Sequence, residues 1–366
     1  MTDSTNKNNN NDSSIKTVPL TKNFDEENNC SNNFPKFSFL ITFYNQDQFV
    51  DNCMECIKKL KIPTDYEIIA GNDGSTDKTK EKLENWKSYF GEEKFKIITA
   101  NRNDGCITSH IRVSNLRKSL LKESSGDYLL YLDGDDFYCD SDFIVDSINL
   151  IKKNPNISVI MFKYQKFDGE NIIQADTIHL EEGLVDKSLY IRSNYVNSGA
   201  CVFKRIKSKR FNQMIEKSHF YTDNIIIIYN LCFGDLWYVP KNILNYRISV
   251  NSMWNSMKEA QQILIMFIIF CNVAFFAKEF KDDIYYHYKD RIFYSYFIRK
   301  NMENIVGKEF LNKYIKYSTA PLVKTIIDYN NASEEDKEET DKIIQEIKNI
   351  YPDVYKNVEL KLKSSV

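Results

Sequence analysis

The stretch Tyr128-Leu129-Leu130-Tyr131-Leu132-Asp133-Gly134-Asp135-Asp136 joins a short apolar run to three carboxylates around one glycine. An apolar run of this length predicts a buried strand. Crowded carboxylates repel one another unless a cation or ligand neutralises them, and Mg²⁺ or Mn²⁺ typically takes one or two carboxylates together with substrate phosphates. The stretch therefore predicts a metal-dependent phosphate or nucleotide site. The alternative is a solvated turn rich in Asp and Gly.

The segments around this stretch alternate between strand and helix patterns. Such alternation predicts βαβ units and a mainly parallel sheet flanked by helices, which is an α/β fold. Strands are predicted at residues 37–44, 67–70, 95–99, 128–132, 158–163, 172–178, 236–239 and 243–248, with a turn entering a strand at 197–203. Helices are predicted at about residues 45–60, 78–90, 108–122 and 140–153, and over the apolar run 225–231, where Thr222 or Asp223 is placed to cap the helix.

Polar residues follow several of the predicted strands at the point where each strand ends. In parallel sheets ligands bind beyond the carboxyl ends of the strands, so these side chains are predicted to converge on one site. They are Thr42, Tyr44, Asn72, Asp73, Arg102, Asp133 and Asp135.

Composition narrows the functional class. The 366-residue chain has 42% hydrophobic residues, enough for a sizeable core, and a formal charge of -2, which gives no basis for a nucleic-acid partner. Its eight cysteines are scattered singly, apart from Cys53 and Cys56, which favours buried free thiols in a reducing compartment. The N-terminus lacks the pattern of a signal peptide, so a cytoplasmic location is predicted.

Changes in composition predict three regions. Residues 1–35 are rich in Asn, Ser, Asp and Lys and are expected to form a disordered tail. Residues 36–255 are expected to form the folded α/β domain, and residues 256–366 a helical region. The fifteen apolar residues 263–277 cover about 22 Å at about 1.5 Å per residue, short of a hydrocarbon core of about 30 Å. A buried or interfacial helix is therefore favoured over a spanning one, and peripheral membrane contact through this region is one expectation.

The ordered set of motifs resembles the inverting glycosyltransferases of family 2, which have the GT-A fold. The resemblance covers about residues 37–252 and depends on seven motifs in the family's order rather than on any one of them. The motifs are Thr42-Phe43-Tyr44-Asn45, Asn72-Asp73-Gly74-Ser75-Thr76-Asp77, Asn101-Arg102-Asn103-Asp104-Gly105, Leu132-Asp133-Gly134-Asp135-Asp136, Gly199-Ala200, Thr222-Asp223 and Tyr246-Arg247-Ile248-Ser249-Val250-Asn251-Ser252.

The resemblance implies a role for each residue of the nucleotide pocket. Asp73 is expected to accept hydrogen bonds from a base N–H or a ribose hydroxyl, and Thr42 and Tyr44 to line the pocket, with the Tyr44 ring against the base. Arg102 is the cation of its loop and is expected to contact the pyrophosphate. The alternatives are a turn or helix cap for Asp73, a core position for Thr42 and Tyr44, and a solvated arginine.

The resemblance also assigns the chemistry. Asp135 is the expected ligand of Mn²⁺ or Mg²⁺, Asp133 binds the ribose or a metal-bound water as a second candidate ligand, and Asp136 is structural. An inverting transfer needs a carboxylate that takes the proton of the acceptor hydroxyl, and Asp223 matches that base. Arg247 is expected to reach the diphosphate when a loop closes.

The chain departs from the family pattern at four places. Asn72 stands where an acid is usual, Thr222 replaces a glutamate, and Ser249 replaces a histidine. The segment His110-Ile111-Arg112-Val113 occupies the place assigned to an Ala-Arg-Asn motif. The expected metal ligand and base are retained.

The sequence thus predicts a cytoplasmic, metal-dependent glycosyltransferase of polysaccharide biosynthesis. It would move a hexosyl or N-acetylhexosaminyl group from a nucleotide sugar, a UDP-sugar, to a glycan or lipid-linked acceptor. Two alternatives remain: a nucleotide-sugar-binding scaffold without turnover, and a metal-dependent nucleotidyltransferase. The latter needs a basic triphosphate loop, which Thr42-Phe43-Tyr44-Asn45 does not provide.

Overall fold

A computed structural model describes residues 34–102, 109–173, 180–193, 197–218, 220–248, 273, 276–280 and 283–284. Ten strands form one sheet: β1 Phe37–Phe43, β2 Tyr66–Asn72, β3 Phe95–Thr99, β4 Tyr128–Asp133, β5 Phe137–Tyr138, β6 Ile157–Phe167, β7 Ile172–Ile173, β8 Gly183–Val185, β9 Cys201–Lys204 and β10 Asp235–Arg247. The helices are α1 Asp47–Lys58, α2 Thr79–Phe90, α3 Ser109–Glu123, α4 Phe143–Lys153, α5 Lys187–Ser193, α6 Lys209–Lys217 and α7 Asp223–Leu231. Short 3₁₀ turns occur at Ser198–Ala200 and Lys278–Phe280.

The strand order is β3-β2-β1-β4-β9-β6-β10-β5, with β7 beside β6 and β8 beside β10. The first four strands are parallel, whereas β9 is antiparallel to both of its neighbours, and β10 is parallel to β6. The α/β fold expected from the sequence is confirmed. The inserted β9 and the short outer strands make the sheet mixed.

The central strands explain why the sheet forms here. Every residue of β1 is buried, as are the first five of β4, because these strands lie inside the sheet and are covered on both faces. Parallel strands in that position are expected to be continuous apolar runs rather than alternating ones. The apolar run that predicted β4 is therefore part of the hydrophobic core.

The strand register brings the polar strand ends to one edge of the sheet. Thr42 lies opposite Asp133, Phe43 lies opposite Asn72, and Asn72 lies opposite Thr99. The residues that follow β1, β2, β3 and β4 therefore all begin at the same edge of the sheet.

One strand prediction is wrong in its boundaries. The strands expected at residues 236–239 and 243–248 form the single strand β10. Its pairing with β6 shifts register between Val239 and Asn242, and Pro240 and Lys241 have no partner in that pairing. Proline has no backbone N–H for the ladder, so an irregularity at this point lets the strand continue past it.

The predicted outer regions are largely outside the described residues. These include residues 1–33 and most of 256–366, with most of the apolar segment 263–277 among them. Described parts of the latter region contact the domain: Asp283 pairs with Arg192 at 2.6 Å, and Glu279 pairs with Arg210 at 2.6 Å. In the part of the chain that the structure describes, no helix has the length and apolarity to cross a membrane. The cytoplasmic location and the domain boundaries stay predictions.

Helix α3 packs closely against β1 and β2. A Cβ atom on Gly71 of β2 would lie 2.8 Å from the Cγ atom of Leu116. Glycine at this position therefore sets how near α3 comes to the sheet.

We expect Gly71→Val to lower the free energy of unfolding by about 1–3 kcal/mol, because the added methyl groups overpack the contact with Leu116. Denaturant titration measures the change. Leu116→Ala should lower the free energy of unfolding less in the Gly71→Val chain than in the wild-type chain, because it removes the atoms that the valine overlaps. Additive losses would contradict a direct contact.

Candidate active site

The Asp133-Gly134-Asp135-Asp136 turn closes tightly at the end of β4. The Gly134 N–H donates to the Thr42 carbonyl oxygen at 2.9 Å, and the Asp136 N–H donates to the Asp133 carbonyl oxygen at 2.9 Å. A Cβ atom on Gly134 would lie 2.1 Å from Cδ1 of Phe43, so only glycine fits between the two carboxylates. The turn therefore holds Asp133 and Asp135 in fixed positions at the edge of the sheet.

The carboxylates of the turn have different environments. Burial, and then the charge of Asp133, raises the pKa of Asp135 to about 6. Burial, with the charges of Asp135 and Asp133, raises the pKa of Asp136 well above its ordinary value. Asp136 is 2% exposed, and its Oδ1 accepts a hydrogen bond from the Arg247 N–H at 2.8 Å. This geometry supports the structural role expected for Asp136.

The donor set fits a divalent cation held partly by substrate. Among the described residues there is no group of three or more His, Cys, Asp or Glu side chains arranged to hold a metal by themselves. Mg²⁺ commonly uses one or two carboxylates and completes its shell with water and phosphate oxygens. Asp135 and Asp133 supply such a pair, and their mutual repulsion is what a cation would relieve.

A buried arginine connects this turn to the predicted base. Arg117 of α3 has a side chain only 6% exposed; its Nη2 donates to Asp133 Oδ1 at 2.9 Å and its Nη1 to Asp223 Oδ1 at 3.2 Å. Burial opposes its charge, but Asp133 and Asp223 outweigh that cost and raise the pKa of Arg117. Asp133 Oδ1 also accepts a hydrogen bond from Thr42 Oγ1 at 2.8 Å. Asp133 and Asp223 thus both pair with the guanidinium of Arg117.

Asp223 begins α7 but does not act as a helix cap. Thr222 occupies the N-cap position, yet its hydroxyl makes no capping hydrogen bond and is buried without a hydrogen-bond partner among the described residues. The Asp223 carboxylate instead accepts hydrogen bonds from Arg117 and from Ser198 Oγ. The capping bond expected at the start of this helix is therefore not formed by Thr222, and Asp223 faces the sheet edge.

A second cluster surrounds Asp73 at the end of β2. Asp73 is 4% exposed; Arg112 Nη2 donates to its Oδ1 at 2.6 Å, and Arg102 Nη2 donates to its Oδ2 at 2.9 Å. The Arg102 guanidinium carbon also lies 3.3 Å from the centroid of the Tyr44 ring, a cation–π arrangement. Arg102 thus contacts both Asp73 and Tyr44, which were assigned with it to the nucleotide pocket, whereas Thr42 bonds Asp133 instead. A base that bonds to Asp73 must share it with two arginines.

Comparison with known proteins identifies the family of the part of the chain that carries most of these residues. The family model described as glycosyl transferase family 2 matches residues 38–211. Residues 38–211 form a glycosyl transferase family 2 domain. The matched range contains both β-strand ends that carry Asp73 and Asp133, and it stops before Asp223.

Two curated relatives match part of the chain. The poly(ribitol-phosphate) beta-N-acetylglucosaminyltransferase TarS of Staphylococcus aureus is 23% identical over 141 residues, 38% of this chain and 23% of that protein. The poly(ribitol-phosphate) beta-glucosyltransferase of Bacillus spizizenii is 27% identical over 138 residues, 37% of this chain and 20% of that protein. The matches thus span less than a quarter of the length of these relatives.

A solved structure supports the same fold. The crystal structure of S. aureus TarS 1-349 in complex with UDP-GlcNAc superimposes with a TM-score of 0.54 at 16% identity, covering 80% of each chain. The GT-A fold predicted for the family 2 domain is therefore confirmed.

Arg247 lies beside the turn at the end of β10. Its Nε donates to the Asp135 carbonyl oxygen at 2.9 Å, and its guanidinium carbon lies 4.4 Å from the Phe49 ring centroid and 5.0 Å from that of Phe167. The Phe137 ring is a third neighbour at 5.9 Å. These rings place the charge next to the predicted metal ligand. Its contact with a diphosphate stays a prediction.

Sequence reasoning missed three polar residues of the family 2 domain that touch the predicted carboxylates: Arg112, Arg117 and Ser198. Arg112 and Arg117 have a recognisable signal, because they stand on the side of α3 that also carries Leu116 and Leu120. Charged residues in the apolar stripe of a helix require buried partners. Ser198 has no comparable signal, since its position depends on the turn before β9.

We expect Asp136→Asn to stabilise the chain at pH 8. The pKa of Asp136 is higher in the folded chain than its ordinary value of 3.8, so the wild-type chain loses stability as the pH rises from that value through the folded value. Asparagine does not ionise and still offers an oxygen to the Arg247 N–H. Denaturant titration in EDTA should give a gain in the free energy of unfolding at pH 8 that shrinks toward zero at pH 4. A gain independent of pH would mean that packing, not ionisation, is responsible.

Proposed function

We propose that this chain is a metal-dependent, inverting glycosyltransferase that moves a hexosyl or N-acetylhexosaminyl group from a UDP-sugar to a hydroxyl of a glycan or lipid-linked acceptor. The observation that carries the proposal is the Arg117 guanidinium that bonds both Asp133 and Asp223. It supports a pocket in which a donor-side carboxylate and a base lie close together. The family match and the two relatives, named for glucosyl and N-acetylglucosaminyl transfer, support the reaction class.

The residues at this edge of the sheet would bind different parts of the donor and the cation. Asp73, with Arg102 and Arg112, and the Tyr44 ring would bind the nucleoside end of the donor. Thr42 and Asp133, joined at 2.8 Å, would bind the ribose. Asp135, with Asp133, would hold Mn²⁺ or Mg²⁺, which when bound neutralises charge on the departing nucleoside diphosphate.

The transfer step places one demand on the protein. The acceptor oxygen attacks the anomeric carbon from the face opposite the leaving group, the bond from that carbon to the phosphate oxygen breaks, and the diphosphate leaves with the electron pair. The proton of the acceptor hydroxyl needs a base, and the Asp223 carboxylate would take it. Asp223 is 39% exposed at its side chain, which leaves it reachable from solvent.

The experiment that tests the proposal is a donor panel. The full chain is incubated with UDP-N-acetylglucosamine, UDP-glucose and UDP-galactose in the presence of Mn²⁺, and UDP release is followed. We expect release from one or more donors. Tight UDP binding without release from any donor would favour the scaffold alternative, and pyrophosphate release from UTP with a sugar phosphate would favour the nucleotidyltransferase.

We expect Asp223→Asn to lower kcat for UDP release by about 10²- to 10⁴-fold, the range typical for loss of a general base. The amide occupies the same space and leaves the donor side of the pocket in place, so the dissociation constant for UDP, measured by calorimetry, should stay within about twofold. Full activity with normal UDP binding would assign the base to another residue.

We expect Asp135→Ala to abolish the dependence of UDP binding on Mn²⁺. Calorimetric titration of the wild-type chain with UDP should show weaker binding in EDTA than in Mn²⁺, because phosphates are then bound without the cation. Asp142→Ala serves as the control, since Asp142 pairs at the surface with Lys61 and its side chain otherwise bonds the neighbouring Ser141. Equal UDP affinity with and without Mn²⁺ in the wild-type chain would contradict the metal assignment.

A further inference from the structure

Among the residues that the structure describes, those that donate hydrogen bonds to the Asp223 carboxylate all bond one of its two oxygens. Asp223 Oδ1 accepts hydrogen bonds from Ser198 Oγ at 2.5 Å and from Arg117 Nη1 at 3.2 Å. A base that is to receive a proton needs one oxygen with lone-pair capacity directed to the substrate, and two donors on the other oxygen fix the rotation of the carboxylate.

We propose that Ser198 and Arg117 are positioning residues that together fix Asp223 Oδ1 and leave Oδ2 to take the proton of the acceptor hydroxyl. This inference rests on the proposed function. It adds that the orientation of the base depends on two side chains from other elements.

Ser198 is itself held firmly. It is 1% exposed and starts the 3₁₀ turn before β9, where the Gly199 N–H donates to Asn197 Oδ1 at 2.7 Å and the Ala200 N–H donates to the Asn197 carbonyl oxygen at 2.9 Å. A Cβ atom on Gly199 would lie 3.0 Å from both Asn197 Oδ1 and a Leu244 methyl carbon. The serine hydroxyl thus reaches Asp223 from a packed turn rather than from a free loop.

Arg117 differs from Ser198 in one respect that an experiment can use. Its second amino group bonds Asp133, so a change at Arg117 disturbs the donor side as well as the base. A lysine cannot replace it, because one ammonium group does not reproduce the planar pair of donors. The hydrogen bond described for the Ser198 side chain goes to Asp223. Ser198 therefore isolates the orientation of the base from binding of the donor.

In the proposed step the proton moves from the acceptor oxygen to Asp223 Oδ2 while the new glycosidic bond forms and UDP departs. Oδ1 keeps its two hydrogen bonds throughout. The same geometry serves transfer to water, so UDP release without an acceptor reports on it. Misplacement of a catalytic group by about 1 Å costs on the order of 10²-fold in rate.

The test compares kcat and KM for UDP release in Mn²⁺, using the donor from the panel that wild-type enzyme turns over fastest. Ser198→Ala should lower kcat by about 10- to 100-fold and leave KM for the donor and the dissociation constant for UDP within about twofold. Ser198→Thr, which keeps the hydroxyl, should recover most of the rate. The control is Ser147→Ala, which removes a buried serine hydroxyl bonded to the Phe143 carbonyl oxygen in α4.

A double-mutant cycle separates positioning from general damage to the fold. In an Asp223→Asn chain, Ser198→Ala should change kcat by less than about twofold, because the group that Ser198 orients no longer acts as a base. Arg117→Lys should lower kcat and also weaken UDP binding. Thermal melting of each variant shows that it is folded.

The outcomes are distinct. If Ser198→Ala keeps the wild-type kcat, or slows the Asp223→Asn chain as much as the wild-type chain, the positioning role is overturned and the proposed function stands. If wild-type enzyme releases no UDP from any donor, the proposed function fails and the inference fails with it.

Discussion

The buried guanidinium of Arg117 is the charge on which the candidate site depends. Its side chain is almost fully removed from solvent, and it lies between Asp133 at the end of β4 and Asp223 at the start of α7. Removing one partner of a buried ion pair leaves an uncompensated charge and typically costs about 3–5 kcal/mol. The two acids are more exposed than the arginine, so the loss here should lie below that range. Because Arg117 of α3 needs both acids to compensate its buried charge, the position of Asp133 relative to Asp223 depends on α3.

The sequence predicted the fold well because its strongest signal is local. The apolar runs of β1 and β4 form buried strands. Along the chain a helix follows each of β1, β2 and β3, as the alternating pattern predicts. The pairing of β9 between β4 and β6 was not predictable in the same way, since a four-residue strand carries no direction in its pattern. The join of two predicted strands into β10 likewise depends on how β6 accommodates Pro240.

The sequence pointed to the carboxylates of the candidate site but not to the residues that contact them. Asp133 and Asp223 were singled out because a strand end and a family motif point to them, and the structure brings both into contact with Arg117. The link between them was missed because it lies in side-chain geometry: Arg117 reads as one more charge in a helix until its burial is known. Arg102 shows the opposite case. It was expected at a pyrophosphate, and the structure places its guanidinium on the Tyr44 ring and on Asp73.

Helix α3 contributes Arg112 to the cluster around Asp73 and Arg117 to the pair formed by Asp133 and Asp223, five positions apart. A helix rises about 1.5 Å per residue, so the two arginines start about 7.5 Å apart along its axis. That separation is built into a rigid element. α3 therefore fixes the spacing of the two arginines. One residue inserted between Arg112 and Arg117 would rotate Arg117 by about 100° around the helix axis, away from Asp133 and Asp223, although neither acid is changed. The spacing between the cluster around Asp73 and the pair formed by Asp133 and Asp223 therefore depends on five residues of helix.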